Sequence, residues 1–406
     1  MRIAHVLRRL SFEDWGGTEQ VVWNIAKAQL KAGHDVRIFA TTALCQTPAE
    51  QVEGLDIRRF KPVYPWWPMT ASLVADLDRK GGNPFVPGLG KALTEWQPDI
   101  IHCHAMGRIA ELCLRTAVKC GARSVISLHG GSANIPAAEA KSLKAPTRGL
   151  FPWGRIVDSL LGWRRRIPEQ ADGIVCVGLD EYERYAKVHP NVMFLPNGVD
   201  VSLFASGAAS QDATPSRESG FKVLCVARID RQKNQMMLVE ALARNPEMKV
   251  RLVGPVTQPD YLEELTRRAE AIGVQERFSY GGAHKPGSPE LLAEYRQADA
   301  FALPSRHEPF GIVVLEAWAA RLPVIASNVG GLGRLCAAHP GAALLFQPGD
   351  AASLDAALAR LTKEKELALE MKEAGYKAAS EYDWGVLVAA LVDFYRRLQR
   401  VNAEKK

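Results

Sequence analysis

The chain has 406 residues, more than one hydrophobic core usually serves, so two domains of roughly 150 to 200 residues are expected. Hydrophobic residues make up 47% and charged residues 24%, and no apolar run approaches the roughly 20 residues of a bilayer span, which excludes a membrane-spanning reading. The net charge is +6, with 25 basic against 20 acidic residues in the first 200, a bias too mild to argue for a nucleic-acid partner.

The start, "MRIAHVLRRLSFEDW", enters a strand pattern at once and lacks the h-region and small-residue cleavage site of a signal peptide, so a cytoplasmic protein is expected. Short apolar runs then alternate with helical patterns: "RIAHVL", a helix near 18 to 32, "DVRIFA", a helix near 88 to 96, "DIIHCH", a helix near 108 to 119, "SVISLH" and "GIVCVG". These runs are rich in Val and Ile and not strictly alternating, as strands buried on both faces should be. A parallel sheet with crossover helices follows.

Around "LFASGAASQDATPSRESG", 203 to 220, the composition turns to Ala, Ser, Gly, Asp and Pro, the expected linker. The rhythm restarts with "FKVLCVAR", a helix after Lys233, "KVRLVG", a helix over "PDYLEELTRRAEAIG", "RFSYGG", a helix over "SPELLAEYRQA", "AFALPS", a helix from 311, "LPVIAS" and "AALLFQ". The expected organisation is a Rossmann-like domain over 1 to 202, the linker over 203 to 220, a second Rossmann-like domain over 221 to 385, and a C-terminal helix over 386 to 406. In open parallel sheets ligands bind beyond the carboxyl ends of the strands, so chemistry is sought just after each strand, and two facing domains would form a cleft there.

In "PSRHEPFGIVVLE", Ser305 to Pro309 read as a turn and Gly311 as the start of a helix whose first N–H groups can receive an anion. Glu308 precedes that helix and Glu316 lies about 7.5 Å along it. A carboxylate is a poor phosphate ligand, yet it accepts two hydrogen bonds from a vicinal diol such as ribose or a hexose offers. For spacing alone, the plainer account of the two acids is a solvated turn residue and a helix-surface residue. "ARIDRQKNQ" supplies Arg228 and Lys233 after the first strand of the second half, cations suited to a diphosphate leaving group.

In the first half "WGGTEQVVW" joins Gly16 and Gly17 to a helix with Gly17 or Thr18 near its N-cap, where a Gly pair permits close backbone approach or simply a tight turn. His129, in "SLHGGSAN", ends a strand and can serve as a hydrogen-bonding group or as a structural residue. In "DIIHCHAM", alternation sends His102 and His104 to one face and Cys103 to the other, so no complete metal site is expected. The seven cysteines, Cys45, Cys103, Cys113, Cys120, Cys176, Cys225 and Cys336, form no C-x-x-C and read as packing residues of a reducing compartment.

Together, "EPFGIVVLE", "GGTE", "LHG" at 128 to 130, "PNGVD" at 196 to 200 and the R-x4-K of Arg228 and Lys233 resemble, in order and spacing, the retaining glycosyltransferases of family GT4, over nearly the whole chain. The resemblance implies a GT-B fold, with two Rossmann-like domains and a C-terminal helix crossing back to the first. It implies a nucleotide-diphosphate sugar as donor. Glu316 would receive the ribose hydroxyls, Arg228 and Lys233 the diphosphate, and Glu308 the donor sugar. The N–H groups of Phe310, Gly311 and Ile312 would face sugar and phosphate, with Ser305 beside them. Gly17 would approach the phosphate, His129 would lie beside the sugar, and the base would rest near Gly254 and "YGGAH", which contains Gly282. Glu308, His129, Arg228 and Lys233 form the implied catalytic set, without a protein nucleophile, a cofactor or a metal, and the implied setting is cell-surface polysaccharide or glycolipid assembly.

The acceptor, a glycan or a lipid-linked molecule, leaves less trace. "YPWWPM", 64 to 69, and the helix pattern with Ile156, Val157, Leu160 and Leu161 before Arg164 to Arg166 suit peripheral contact at the inner face of a membrane, or else a packed loop and a core-facing helix. Other readings lack their supports. "HGGSAN" resembles an esterase oxyanion segment, but no G-x-S-x-G occurs and Ser132 has no Gly two positions on. The dehydrogenase G-x-G-x-x-G and the Walker loop are absent too. A nucleotide-sugar 2-epimerase, or a GT-B protein that binds nucleotide or glycan without turnover, remain as alternatives.

Overall fold

The computed structural model describes residues 1–13, 16–129, 147, 149–163, 167–206 and 220–403. Gly130 and Ser132 of "HGGSAN", Arg164 to Arg166, and most of the expected linker lie outside the described residues. The chain divides into two compact units, one of Met1–Pro196 with Leu387–Lys406 and one of Asn197–Val386.

In the first unit β1 (Arg2–Arg9), β2 (Asp35–Thr41), β3 (Ala49–Val52), β4 (Leu55–Phe60), β5 (Ile100–Cys103), β6 (Arg123–Leu128), β7 (Gly173–Cys176) and β8 (Val192–Phe194) form one sheet in the order β3-β4-β2-β1-β5-β6-β7-β8. Only the β3–β4 pair is antiparallel. The interior strands β5 and β7 are buried at every position, which accounts for their unbroken apolar runs. The helices α1 (Gly17–Lys31), α2 (Ala71–Lys80), α3 (Leu89–Trp96) and α4 (Arg108–Cys120) lie among the crossovers.

The C-terminal helix Trp384–Ala403 completes this unit from the far end of the chain. Leu391 and Tyr395 are fully buried, and Leu398 nearly so. The Tyr395 hydroxyl meets His102 Nδ1 on β5 at 2.5 Å. A Cβ at Gly173 would lie 2.8 Å from Leu398 and Phe394, so the start of β7 is a glycine because that helix lies on it.

The second unit holds β9 (Phe221–Val226), β10 (Met248–Val253), β11 (Phe278–Tyr280), β12 (Ala300–Leu303), β13 (Val324–Ser327) and β14 (Ala343–Phe346) in a wholly parallel sheet ordered β11-β10-β9-β12-β13-β14. This is the 3-2-1-4-5-6 order of a doubly wound dinucleotide fold, whose order reverses between β9 and β12. The helix Ile312–Ala319 is buried from Val314 onward, and Trp318 in its last turn donates to Ala342 O at 2.8 Å.

The expected boundary shifts. Residues 197 to 202 belong to the second unit, because Val199 exchanges backbone hydrogen bonds with Tyr382 and Trp384 (2.9 and 3.1 Å), and Val201 N–H donates to Asp383 at 3.1 Å. Residues 203 to 205 are no linker. They continue the helix Val201–Ala205, capped by Asp200, whose Oδ1 accepts from Leu203 N–H at 2.9 Å, and Phe204 is buried edge-on against Tyr295.

Gly254, at the end of β10, has φ 141°, and a Cβ there would lie 2.1 Å from the Ala227 carbonyl oxygen. Replacing it by alanine forces the ends of β9 and β10 apart and adds strain of about 1–3 kcal/mol. Urea unfolding of Gly254→Ala is expected to show a loss of at least that size; an unchanged midpoint would mean that the strand ends yield freely.

Candidate functional site

The loops after β9 and β12 leave adjacent strands at the point where the order of the second sheet reverses, and they are tied together. Arg306 N–H donates to Gln232 O at 2.8 Å. Lys233 Nζ donates to Glu308 Oε2 at 2.6 Å, both side chains being mostly buried. Two residues 75 positions apart are thus joined, an ammonium and a carboxylate facing each other where the fold class places its ligand. The expected division of labour, with Lys233 on a diphosphate and Glu308 on a sugar, has to start from this ion pair. Arg228 is exposed, and its carbonyl receives Gln235 Nε2 at 2.7 Å.

Gly311 is the N-cap of the helix Ile312–Ala319, with φ 93°, a conformation that only glycine adopts freely. Among the described residues no backbone acceptor takes the N–H groups of Phe310, Gly311 or Ile312, leaving this helix start open to an anion. The turn before it is held from the far side by "VGGLG". Gly331 N–H donates to Glu308 O at 3.1 Å, and a Cβ at Gly331 would lie 1.8 Å from Pro309 O. Gly330 meets Glu308 O in the same way, at 2.8 Å. Sequence reading missed these two glycines, although a Gly pair opening a helix was the available signal.

Glu316 is neither a surface residue nor openly displayed. It is 7% exposed, and its Oε2 accepts from the Tyr295 hydroxyl at 2.6 Å. Burial raises its pKa to about 7, and the bond from Tyr295 offsets only part of that push. Tyr295 lies 21 residues upstream on another helix, and nothing in the sequence marks it as the partner.

Three candidate positions serve the fold in ways their spacing does not reveal. Ser305 is wholly buried. Its carbonyl receives the Ser327 hydroxyl at 2.6 Å, and its own hydroxyl has no partner among the described residues. Gly254 spends its N–H on Gly282 O at 2.8 Å, its missing side chain being explained by the strand contact described above. Gly282, with φ 82°, has open space where a Cβ would stand.

The first sheet reverses between β1 and β5, and a cavity of about 680 Å³ lies there, lined by Gly17, Thr18, Arg8, His104 and Gly107 among others. Gly16, not Gly17 or Thr18, is the N-cap of α1. A Cβ at Gly16 would lie 2.3 Å from Glu19 Oε2, while one at Gly17 would touch nothing within 4 Å. The pair therefore divides its work: Gly16 makes room for Glu19, which binds Arg9 at 3.0 Å, and Gly17 keeps the backbone open. Arg8, a lining guanidinium that the sequence did not single out, donates to Asp78 O at 2.8 Å, and burial beside Arg9 lowers its pKa.

His129 closes β6, and its Nε2 meets His104 Nδ1 at 3.0 Å. His5, His102 and His104 bring ligand atoms within 4.8 Å of one another. Their nitrogens are already engaged, however, by each other and by Gln29, Tyr395, Ser127 and His129, so a metal ion would have to break these bonds. Burial lowers the pKa of His5 and His129 to about 4 and holds His102 and His104 well below their ordinary value.

The model for Glycosyltransferase Family 4 matches residues 15–203, and that for Glycosyl transferases group 1 matches residues 208–378. A GDP-mannose-dependent alpha-(1-6)-phosphatidylinositol monomannoside mannosyltransferase of Mycobacterium tuberculosis is 30% identical over 291 residues, 64% of this chain and 74% of that protein. The chain belongs to glycosyltransferase family 4. A D-inositol 3-phosphate glycosyltransferase of Corynebacterium urealyticum is also 30% identical, over 242 residues, and there this family 4 chain spans about half (55%) of the relative's length. The sucrose-phosphate synthase of Thermosynechococcus elongatus shares the fold with a TM-score of 0.66 at 21% identity, covering 98% of this chain and 99% of that one, which makes the architecture GT-B.

The buried Glu316 has a consequence for stability. Its folded pKa of about 7 stands above the ordinary 4.5, so the folded state binds the proton more tightly and stability falls as pH rises from about 4.5 to about 7. Glu316→Gln keeps an acceptor for Tyr295 and removes the charge. In urea unfolding at pH 8 it is expected to exceed the wild type by about 2–4 kcal/mol, with the gap closing by pH 4.5; equal stability at both pH values would show that Glu316 ionises without cost.

Proposed function

We propose that this family 4 chain is a retaining glycosyltransferase that moves a hexose-type sugar from a nucleotide-diphosphate sugar to a hydroxyl acceptor. The observation that carries the reading is the meeting of Lys233, Glu308 and the open helix start at Gly311 where the second sheet reverses its order. Cations and unpaired N–H groups there suit a diphosphate, and carboxylates suit the hydroxyls of ribose and hexose.

In the proposed reaction the acceptor oxygen bonds to the anomeric carbon on the face from which the diphosphate oxygen leaves. The acceptor's proton passes to an oxygen of the departing phosphate, so no protein nucleophile is needed. Lys233, Arg228 and the helix N–H groups stabilise the charge that develops on the diphosphate, while Glu308 and Glu316 fix the hydroxyls. For the first unit the proposal assigns a phosphate contact to Gly17 and a sugar hydroxyl to His129. Glu316 then has to ionise to receive ribose, so donor affinity should weaken as pH falls below about 7.

The relatives' names, one naming GDP-mannose and the other inositol 3-phosphate, support a sugar nucleotide and a polyol or lipid-linked acceptor as classes to test. Calorimetric titration of UDP-, GDP- and ADP-sugars, with donor breakdown followed by NMR, is expected to single out one donor. Its binding should weaken by about 1.5–3 kcal/mol in Glu316→Ala. No binding by any donor would move the chain to the non-catalytic alternative, and donor rearrangement without an acceptor would favour an epimerase.

One surface supports a membrane-proximal acceptor. The loop at 64 to 69 is bound to Phe151 through paired backbone bonds between Trp67 and Phe151 (3.0 and 2.9 Å), which brings the two apolar stretches together. Trp67, Phe151, Ile156 and Leu160 are 54–80% exposed, so the helix Gly154–Leu160 is not core-facing. No described helix is long and apolar enough to cross a membrane; the proposed contact is a peripheral one at the inner face. Sedimentation with anionic liposomes at low salt is expected to carry the wild type down and to leave Leu160→Glu largely in the supernatant; a wild type that stays in solution removes the membrane from the proposal.

A further inference from the structure

The first unit encloses a file of polar side chains that leads to His129, and the proposed reaction gives no task to its other members, Gln29, His5 and His104. Gln29 Oε1, on α1, lies 2.7 Å from His5 Nε2; His5 Nδ1 lies 2.9 Å from His104 Nε2; and His104 Nδ1 lies 3.0 Å from His129 Nε2. Gln29 and His5 are completely buried and His104 nearly so. A neutral imidazole has one N–H and one bare nitrogen, so each contact between two rings requires a proton on one side and a lone pair on the other. Fixing either end fixes every ring between.

The Gln29 end is set by its amide. A carbonyl oxygen only accepts, so it requires the proton on His5 Nε2. His5 Nδ1 is then bare and receives His104 Nε2–H, and His104 Nδ1 is bare and receives His129 Nε2–H. The opposite amide orientation would reverse each step. In the structure the amide oxygen, Gln29 Oε1, is the atom that faces His5 Nε2. Tyr395 is free to donate to His102 Nδ1 at 2.5 Å, and His102 Nε2–H to the Ser127 hydroxyl at 2.7 Å. The whole network is then satisfied except for Gln29 Nε2, which has no hydrogen-bond partner among the described residues.

We propose that Gln29, His5 and His104 are positioning residues that lock His129 in its Nε2–H form and so present His129 Nδ1 as a bare acceptor for a hydroxyl of the ligand. This rests on the reading above, in which His129 meets a sugar hydroxyl. The relay adds the direction of that bond: the ligand donates and the histidine accepts. A ligand carrying an acceptor in place of that hydroxyl, as a fluoro or keto sugar does, is refused.

The test is nitrogen-detected NMR of the full chain labelled with 15N-histidine, His129 being assigned by comparison with His129→Gln. In the wild type His129 is expected to carry its proton on Nε2, and the bare Nδ1 signal to move when the donor selected by calorimetry is added. Gln29→Met keeps the bulk and removes the acceptor, so His129 should populate both tautomers and the donor KM should rise about 3- to 10-fold with kcat within about twofold. Gln29→Glu, which again accepts from His5, should restore the Nε2–H form and the KM. A wild-type His129 protonated on Nδ1 overturns the relay, and so does a Gln29→Met protein that keeps the wild-type tautomer. Because the tautomer is read without ligand, an intact Nε2–H form together with failure of every donor to bind supports the relay and overturns the functional reading instead.

Discussion

The arrangement of the second unit depends on one constraint: β9 and β12 are neighbours in the sheet, although two strands, β10 and β11, lie between them in the chain. The loops leaving them lie side by side, and the space at their meeting suits opposite charge or a ligand. Lys233 and Glu308 fill it with a 2.6 Å ion pair, Gly311 starts a helix with its N–H groups unspent, and the Gly330–Gly331 turn presses on the Glu308–Pro309 backbone from behind. Each of these residues is intelligible only because the sheet order brings it to the same place.

The strands of both sheets could be read from the sequence because their central members are buried on both faces, which leaves continuous Val and Ile runs such as "DIIHCH" and "AFALPS". The outer strands β3 and β4 of the first sheet and two surface helices could not. β3 shows exposure alternating with half-burial, β4 interrupts its buried Leu55 and Ile57 with charged residues, and the helices Ala351–Lys363 and Lys365–Glu381 carry charged faces that resemble any surface segment. The boundary was misplaced for a related reason: Val199 and Phe204 are anchored by partners near Tyr382 and Tyr295, far away in sequence.

The candidate site divides in the same way. Glu308, Lys233, Gly311 and Gly17 stand out because their chemistry is local, a turn, a cation after a strand, a glycine at a helix start. Glu316 was visible as an acid but not as a buried acid, since its setting comes from Tyr295 on another helix. His5 and Gln29 gave no signal at all, because a lone histidine in a strand and a glutamine in a helix are commonplace until the fold places them in one line.

The helix Trp384–Ala403 carries Tyr395 into the heart of the first unit, against His102 and beside Gln29, and lays Phe394 and Leu398 on Gly173. The first unit therefore cannot be finished when its own strands have been made. During synthesis its eight strands leave the ribosome long before residue 395, with the histidine core missing one wall, while the second unit has all of its residues by 386. The part of the molecule that begins first is closed last, and a ribosome that stalls within the final helix would release a chain with one complete unit and one still open along the seam at Gly173.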